Sequence, residues 1–218
     1  VWGTVETVSQ NLPRVADDIE VRCISTLLEP AGRVAGLPSR LAENGSVAHI
    51  GCLVLGMGFT IRPELAAAWV EDEPRVKEVV FPYLNGEDLN SDPEQRASRW
   101  VINFWDWSEE KAMTYREPYF WIKKHVYPER LKKSKEKSYR NIMSMWWQHW
   151  NVRPGLYHAI GQGHHFESHP DNWYPIELRP KRVLAVTRVS KTLAFSFVNS
   201  NIVFSDATVA FSLGCGRD

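Results

Sequence analysis

The polar chemistry of this chain is densest at one turn. Residues 79–107 read VVFPYLNGEDLNSDPEQRASRWVINFWDW, and Asn85, Glu87, Asp88 and Asn90 fall together within that run. Two amides and two carboxylates at this spacing suit three kinds of work. They can cap a turn through side-chain acceptors. They can read base edges, an Asn amide gripping adenine and a carboxylate accepting from cytosine N4. Paired acids also bind divalent cations or move protons. Catalysis is the least favoured of the three, because neither a His nor a nucleophile with a base beside it lies nearby in sequence.

A second candidate is basic. From Lys123 to Arg140 eight Lys/Arg stand against Glu129 and Glu136, a net of +6 on a chain whose formal charge is +0, so the remainder carries −6. Lys132, Lys133, Lys135, Lys137 and Arg140 are suited to neutralising phosphates, each contact adding about 0.9 to the salt slope of binding. A solvated helix face is the plainer account of the same charges. Arg130 and Arg153 are expected to be fixed by structural partners. Trp146, Trp147 and Trp150 follow at helical spacing and serve either core packing or base stacking.

Three shorter signals complete the set. Arg188-Val189-Ser190-Lys191 joins two predicted strands. Alternation puts Arg188 and Ser190 on one face, and the turn projects Lys191; Arg reads guanine and Lys meets phosphate. Gly163-His164-His165 with Glu167 and His169 resembles a metal tract. Gly163 and Pro170 favour a loop, so a mobile recognition loop is expected there and no metal is assigned. Glu109-Glu110-Lys111 matches the end of a nuclease core, but no Pro-Asp precedes it on a strand, and acidic residues at a helix N-terminus account for it better. No catalytic residue is assigned.

The elements that must position these groups read as strands, then helices, then strands. Short strands are expected at 19–24, 49–55, 76–83 and 99–104, with a loop at 30–46 and an Asn85-Gly86 turn between the last two. Helices are expected from Pro63 to about Glu73, from a cap at Asp106 or Ser108 to Tyr115, over 119–133, over 138–151 and from Pro154 to Ile160. Residues 161–181 read as a loop, and strands follow at 182–189, 193–198, 202–204 and 208–212. That order predicts an α+β fold, with a mixed, largely antiparallel sheet packed with several helices in a single domain over 1–218.

Bulk composition narrows the setting. Length 218, 44% hydrophobic residues and ten Trp support a substantial core. Cys23, Cys52 and Cys215 have no paired spacing, so no disulfide framework is expected and a reducing cytoplasm is the natural setting. No apolar run approaches about 18 residues, so no membrane span is expected. The opening VWGTVETVSQ has no signal-peptide character and reads as mid-strand, which suggests a piece of a longer protein.

Four segments, in order, carry a resemblance: 53–61 (LVLGMGFTI), 81–91 (FPYLNGEDLNS), 98–107 (SRWVINFWDW) and 183–193 (VLAVTRVSKTL). Together, from about Val21 to about Ser212, they resemble the target-recognition domain of MmeI-like, class I S-adenosylmethionine-dependent DNA methyltransferases of restriction-modification and phage-defence systems. The resemblance implies a module that reads double-stranded DNA for an adenine-N6 methylase in a bacterial or archaeal cytoplasm. It also implies a covalently linked catalytic domain on the N-terminal side, which would bind the S-adenosylmethionine. Residues 161–182 look like an insertion in that pattern. The chemistry of methylation does not carry over, because the chain contains no Pro-Pro. Gly56-Met57-Gly58 and Gly214-Cys215-Gly216 lack the following helix of a cofactor loop. No cofactor is therefore expected in this stretch. Two other readings stay open: a structural module that packs on a methyltransferase domain or a defence-complex subunit, and an independent nuclease.

Overall fold

The computed structural model describes residues 13–16, 18–22, 24, 45, 47–169, 173, 179–191 and 193–212. The expected loop at 30–46 and the Gly214-Cys215-Gly216 pair lie outside these residues, apart from Gly45. The chain divides into two compact units, Val1–Leu41 and Ala42–Asp218. In the first, β1 (Arg14–Ala16) and β2 (Ile19–Val21) form an antiparallel hairpin. Its turn places Asp18 at φ 63°, a conformation Asp tolerates.

The second unit is α+β, as the order of elements predicts. One four-stranded sheet contains β3 (Ala48–Ile50), β7 (Arg182–Thr187), β8 (Phe195–Asn199) and β10 (Thr208–Phe211), in the order β3-β10-β7-β8, with every pairing antiparallel. The other contains β4 (Thr60–Ile61), β5 (Val80–Leu84), β6 (Arg99–Ile102) and β9 (Val203–Phe204), in the order β4-β6-β5-β9, with β5 and β9 parallel. Pro82 is tolerated inside β5 for a register reason. Asn103 N–H donates to Val79 O at 2.8 Å, so Val79 and Asn103 face each other as a hydrogen-bonded pair. Alternation then puts Pro82 opposite Trp100 in a non-bonded position. On its other side β9 starts only beside Tyr83, so the missing N–H is not needed.

Helices fill the middle of the chain. Pro63 opens α1 (Pro63–Asp72), where its missing N–H costs nothing. A 3-10 turn over Pro74–Glu78 takes the first part of the strand expected from 76. Ser108 caps α3 (Glu109–Met113) by accepting from Lys111 N–H at 3.3 Å. The single helix expected over 119–133 is two, α4 (Arg116–His125) and α5 (Tyr127–Lys133). Pro128 in the first turn of α5 has no N–H to continue the ladder. No helix among the described residues is long and apolar enough to cross a membrane.

The helix expected over 138–151 is not formed. Two 3-10 turns, Lys137–Tyr139 and Ile142–Met145, take its place. Tertiary contacts outbid the local pattern here. The carbonyls of Met145, Trp146 and Gln148 accept from Arg130 Nη1 at 3.1, 3.1 and 2.7 Å. Arg130 Nη2 reaches the carbonyls of Val54 and Leu55 at 2.9 and 3.3 Å. The guanidinium also lies 4.9 Å from the Phe59 ring, and only 1% of the residue is exposed. Arg130 therefore ties the segments 54–55 and 145–148 to α5, the structural role its position suggested.

An aromatic core closes over this frame. Trp105 is fully buried, stacked on His165 at 4.7 Å and edge-on to Tyr157 and Phe81. Its backbone is held at φ 51° while Asn103 Oδ1 accepts its N–H at 3.0 Å. Gly58 passes so close to α4 that a Cβ there would lie 2.8 Å from the His125 backbone. Close packing accounts for that glycine.

Candidate nucleic-acid interface

The Asn85-Gly86 pair makes no hairpin. Asn85 is instead the N-cap of a short helix, α2 (Gly86–Ser91). Its Oδ1 accepts from Glu87 N–H at 2.7 Å and Asp88 N–H at 3.1 Å, and Asp88 Oδ2 accepts from Asn85 N–H at 3.3 Å. This is a capping box with Asp in the acidic position. Asn85 and Asp88 are thus engaged in the cap, and Asp88 is 6% exposed. Glu87 and Asn90 are left on the exposed side of α2. Asn90 Oδ1 accepts from Thr187 Oγ1 at 3.3 Å, which leaves its amide nitrogen to donate.

That contact places α2 against the end of β7, where Arg188 begins the loop toward β8. Arg188 is exposed but oriented, its Nη1 donating to Asp206 O at 2.8 Å while its N–H donates to Ala207 O at 2.9 Å. Lys191 is exposed in the same loop. The fold therefore brings α2, which exposes Glu87 and Asn90, against the end of β7, after which Arg188 and Lys191 are exposed. Such a mixture suits base-edge readout, which needs donors and acceptors together.

The lysines of the basic block stand on other elements. Lys132 lies in the last turn of α5, and Lys135, Lys137 and Arg140 follow the helix, all exposed. Lys133 is half-buried, with Nζ 5.2 Å from the Tyr139 ring, which in turn meets Trp150 edge-on at 5.3 Å. Among the described residues, none of these five cations is in an ion pair, and the four ion pairs found lie elsewhere. They are a source of unspent positive charge. Trp146 and Trp147 belong to the core side, since their indole N–H groups donate to Glu109 Oε1 at 3.1 Å and to Trp107 O at 2.9 Å. Lys123 and Lys124 belong to the basic block without being among its phosphate candidates, and Arg116 lies outside it; the structure exposes all three along α4. Their signal was the helical spacing with Phe120.

The competing chemistries find their groups occupied. Glu109 Oε1 also accepts from Tyr119 OH at 2.7 Å, and Lys111 pairs with Glu167 at 3.2 Å over the Trp107 ring. The Glu109–Lys111 segment thus works as helix cap and packing. Residues 163–169 are not the free loop expected. Trp107 Nε1 donates to His165 O at 2.6 Å, and Asp106 accepts from the N–H groups of Glu167 and Ser168 and from Ser168 Oγ. Those bonds outweigh the desolvation of Asp106 and hold its carboxyl below the ordinary range. Burial pushes His165 down to about 3, so it stacks on Trp105 as a neutral ring. No metal-ligand group is present among the described residues. Burial likewise pushes the Cys52 thiol up to about 12, which leaves it protonated and a poor nucleophile.

No family model matches the chain, and no curated protein matches it. Among solved structures it is similar to one described as the type IIL restriction-modification enzyme MmeI in complex with DNA. The likeness has a TM-score of 0.54 at 17% identity and covers 90% of this chain. The matched region is 23% of that enzyme's length. At that identity the likeness is one of fold, and it agrees with the resemblance carried by the four sequence segments.

Proposed function

We propose that this chain is the DNA target-recognition module of an adenine-specific (N6) methyltransferase of the restriction-modification type, and that it presents the target base to a catalytic domain on the same polypeptide. The fold likeness to a DNA-bound restriction-modification enzyme, over 90% of the chain, carries the reading. The sequence segments quoted above support it independently of the fold. S-adenosylmethionine would be held by the catalytic domain, and no residue described here is assigned to it.

In this reading the two sets divide the work. Lys132, Lys133, Lys135, Lys137 and Arg140 supply phosphate contacts, which hold the duplex without reading it. Glu87, Asn90 and Arg188 supply readout while Lys191 meets phosphate, with Asn85 and Asp88 orienting the helix that carries the first two. A bidentate grip on adenine uses both ends of an amide, so Asn90 would release Thr187 on binding.

A salt titration of duplex binding tests the proposal. The log of the association constant should fall linearly with log salt, and Lys132→Ala combined with Lys135→Ala should lower the slope by about 2. A flat slope, or one the double variant leaves unchanged, would refute the assignment of this surface.

A further inference from the structure

The consecutive helices α4 and α5 present a line of exposed residues beside their core-facing ones. Its inner face is spent on the core, where Tyr119, Ile122, Val126 and Arg130 are all buried. Hydrogen bonds from Val126 N–H to Ile122 O (2.7 Å) and from Arg130 N–H to Val126 O (2.9 Å) carry the helical phase past Pro128. Residues spaced four, seven and eleven apart therefore share a face. Arg116, Phe120, Lys123, Tyr127 and Leu131 follow that spacing, and Lys124 lies beside them. Phe120 is 55%, Tyr127 36% and Leu131 49% exposed. The cations around them make no ion pair among the described residues.

A solvated helix face has no use for an exposed Phe and Leu in line, and phosphate contacts need neither. Apolar anchors at i, i+7 and i+11 are how one helix face receives an apolar segment. Arg116, Lys123 and Lys124, in no ion pair among the described residues, outnumber the exposed Glu117 on this stretch and select its charge. We propose that the α4–α5 ridge docks an acidic segment of another protein chain, with aliphatic or aromatic side chains on Phe120, Tyr127 and Leu131 and carboxylates on Arg116, Lys123 and Lys124. Charge complementarity commits the ridge to an acidic partner. Lys132 directly follows Leu131 and Lys135 lies four residues past it, so the ridge runs into the basic set at its C-terminal end; the docking itself is carried by Phe120, Tyr127 and Leu131 and does not rest on the DNA reading.

The test uses the whole chain and a labelled amphipathic peptide of about 20 residues, with Leu along one face and Glu on both flanks. A counterpart carrying Lys for Glu is the control. Fluorescence anisotropy at about 50 and about 300 mM salt reads binding and its screening. The Glu peptide should bind, more weakly at high salt, and the Lys peptide should not. Phe120→Ala with Leu131→Ala should weaken it by about tenfold, the usual scale for a docking anchor, with thermal melting and duplex affinity unchanged. Lys123→Glu with Lys124→Glu should reverse the preference between the peptides. The proposal is overturned if the Glu peptide does not bind, if the two peptides bind alike, or if the Phe120/Leu131 variant binds the Glu peptide as tightly as the wild type. Loss of duplex affinity in that variant would assign the ridge to DNA and overturn it equally.

Discussion

Replacing Arg130 by Met should cost about 3 kcal/mol of stability. The guanidinium is 1% exposed and donates to five backbone carbonyls from two separate segments, and among the described residues it is in no ion pair. Removing it orphans those acceptors, and the bonds to Val54 O and Trp146 O are fully buried. An orphaned buried acceptor costs about 1–3 kcal/mol, which gives about 2–6 kcal/mol for these two. Relief of the charge's own desolvation offsets part of that, since a buried ion carries a penalty of several kcal/mol. That same desolvation pushes Arg130 down to about 10, which still leaves it charged at neutral pH. A net loss of about 3 kcal/mol moves a urea midpoint by about 1.5 M at a slope of about 2 kcal/mol/M. Arg130→Lys should recover about a third of the loss, because an ammonium is a point donor and cannot span both sets of carbonyls. Urea unfolding followed by tryptophan fluorescence reads these shifts. A Met variant within about 0.5 kcal/mol of wild type, or full rescue by Lys, would refute the hub.

Two further outcomes follow from the same structure. His149 is fully buried and donates from Nε2 to Ile102 O at 2.8 Å, and burial pushes it down to about 3, as it does His165. Both are neutral when folded but bind a proton below about 6.5 when unfolded. Between those values the unfolded chain holds more protons, so stability is complete above about pH 6.5 and falls as pH drops, by about 1.4 kcal/mol per pH unit for each ring. Melting temperature from pH 7 to pH 5 should decline, and His149→Gln should flatten the decline; an unaltered profile would contradict the assignment. Asn85→Ala removes the acceptor of the α2 cap and should cost about 1 kcal/mol in chemical unfolding, whereas Asn85→Asp should keep the cap and cost only a few tenths.

The sequence declared the fold class because its strands carry β-branched and aromatic residues between clear breakers, and because Pro63 and Ser108 mark helix starts by local chemistry. The turn at 84–86 was misread for a reason. Asn-Gly closes a tight hairpin only when the second strand resumes at once; β5 and β6 do pair, but across the longer connection 85–98, in which Asp88 three residues on completes a capping box instead. The segment 138–151 has helical periodicity, but its carbonyls are claimed by Arg130, a partner that spacing cannot reveal. The meeting of α2 with the end of β7 was equally invisible, since Asn90 and Thr187 stand 97 residues apart. The individual candidates were legible as residue types; their division into a capped helix, a mixed-charge set and a separate basic set depended on the fold.

Under the proposed function, DNA sequence is read through Glu87, Asn90 and Arg188. Selection of bound duplexes from a randomised pool is the decisive experiment. The wild-type chain should enrich one short word, and Arg188→Ala should relax one position of that word by about 1–3 kcal/mol while leaving the salt slope nearly unchanged. A pool that emerges with no enriched word, or a word that Arg188→Ala and Asn90→Ala both leave intact, would contradict it.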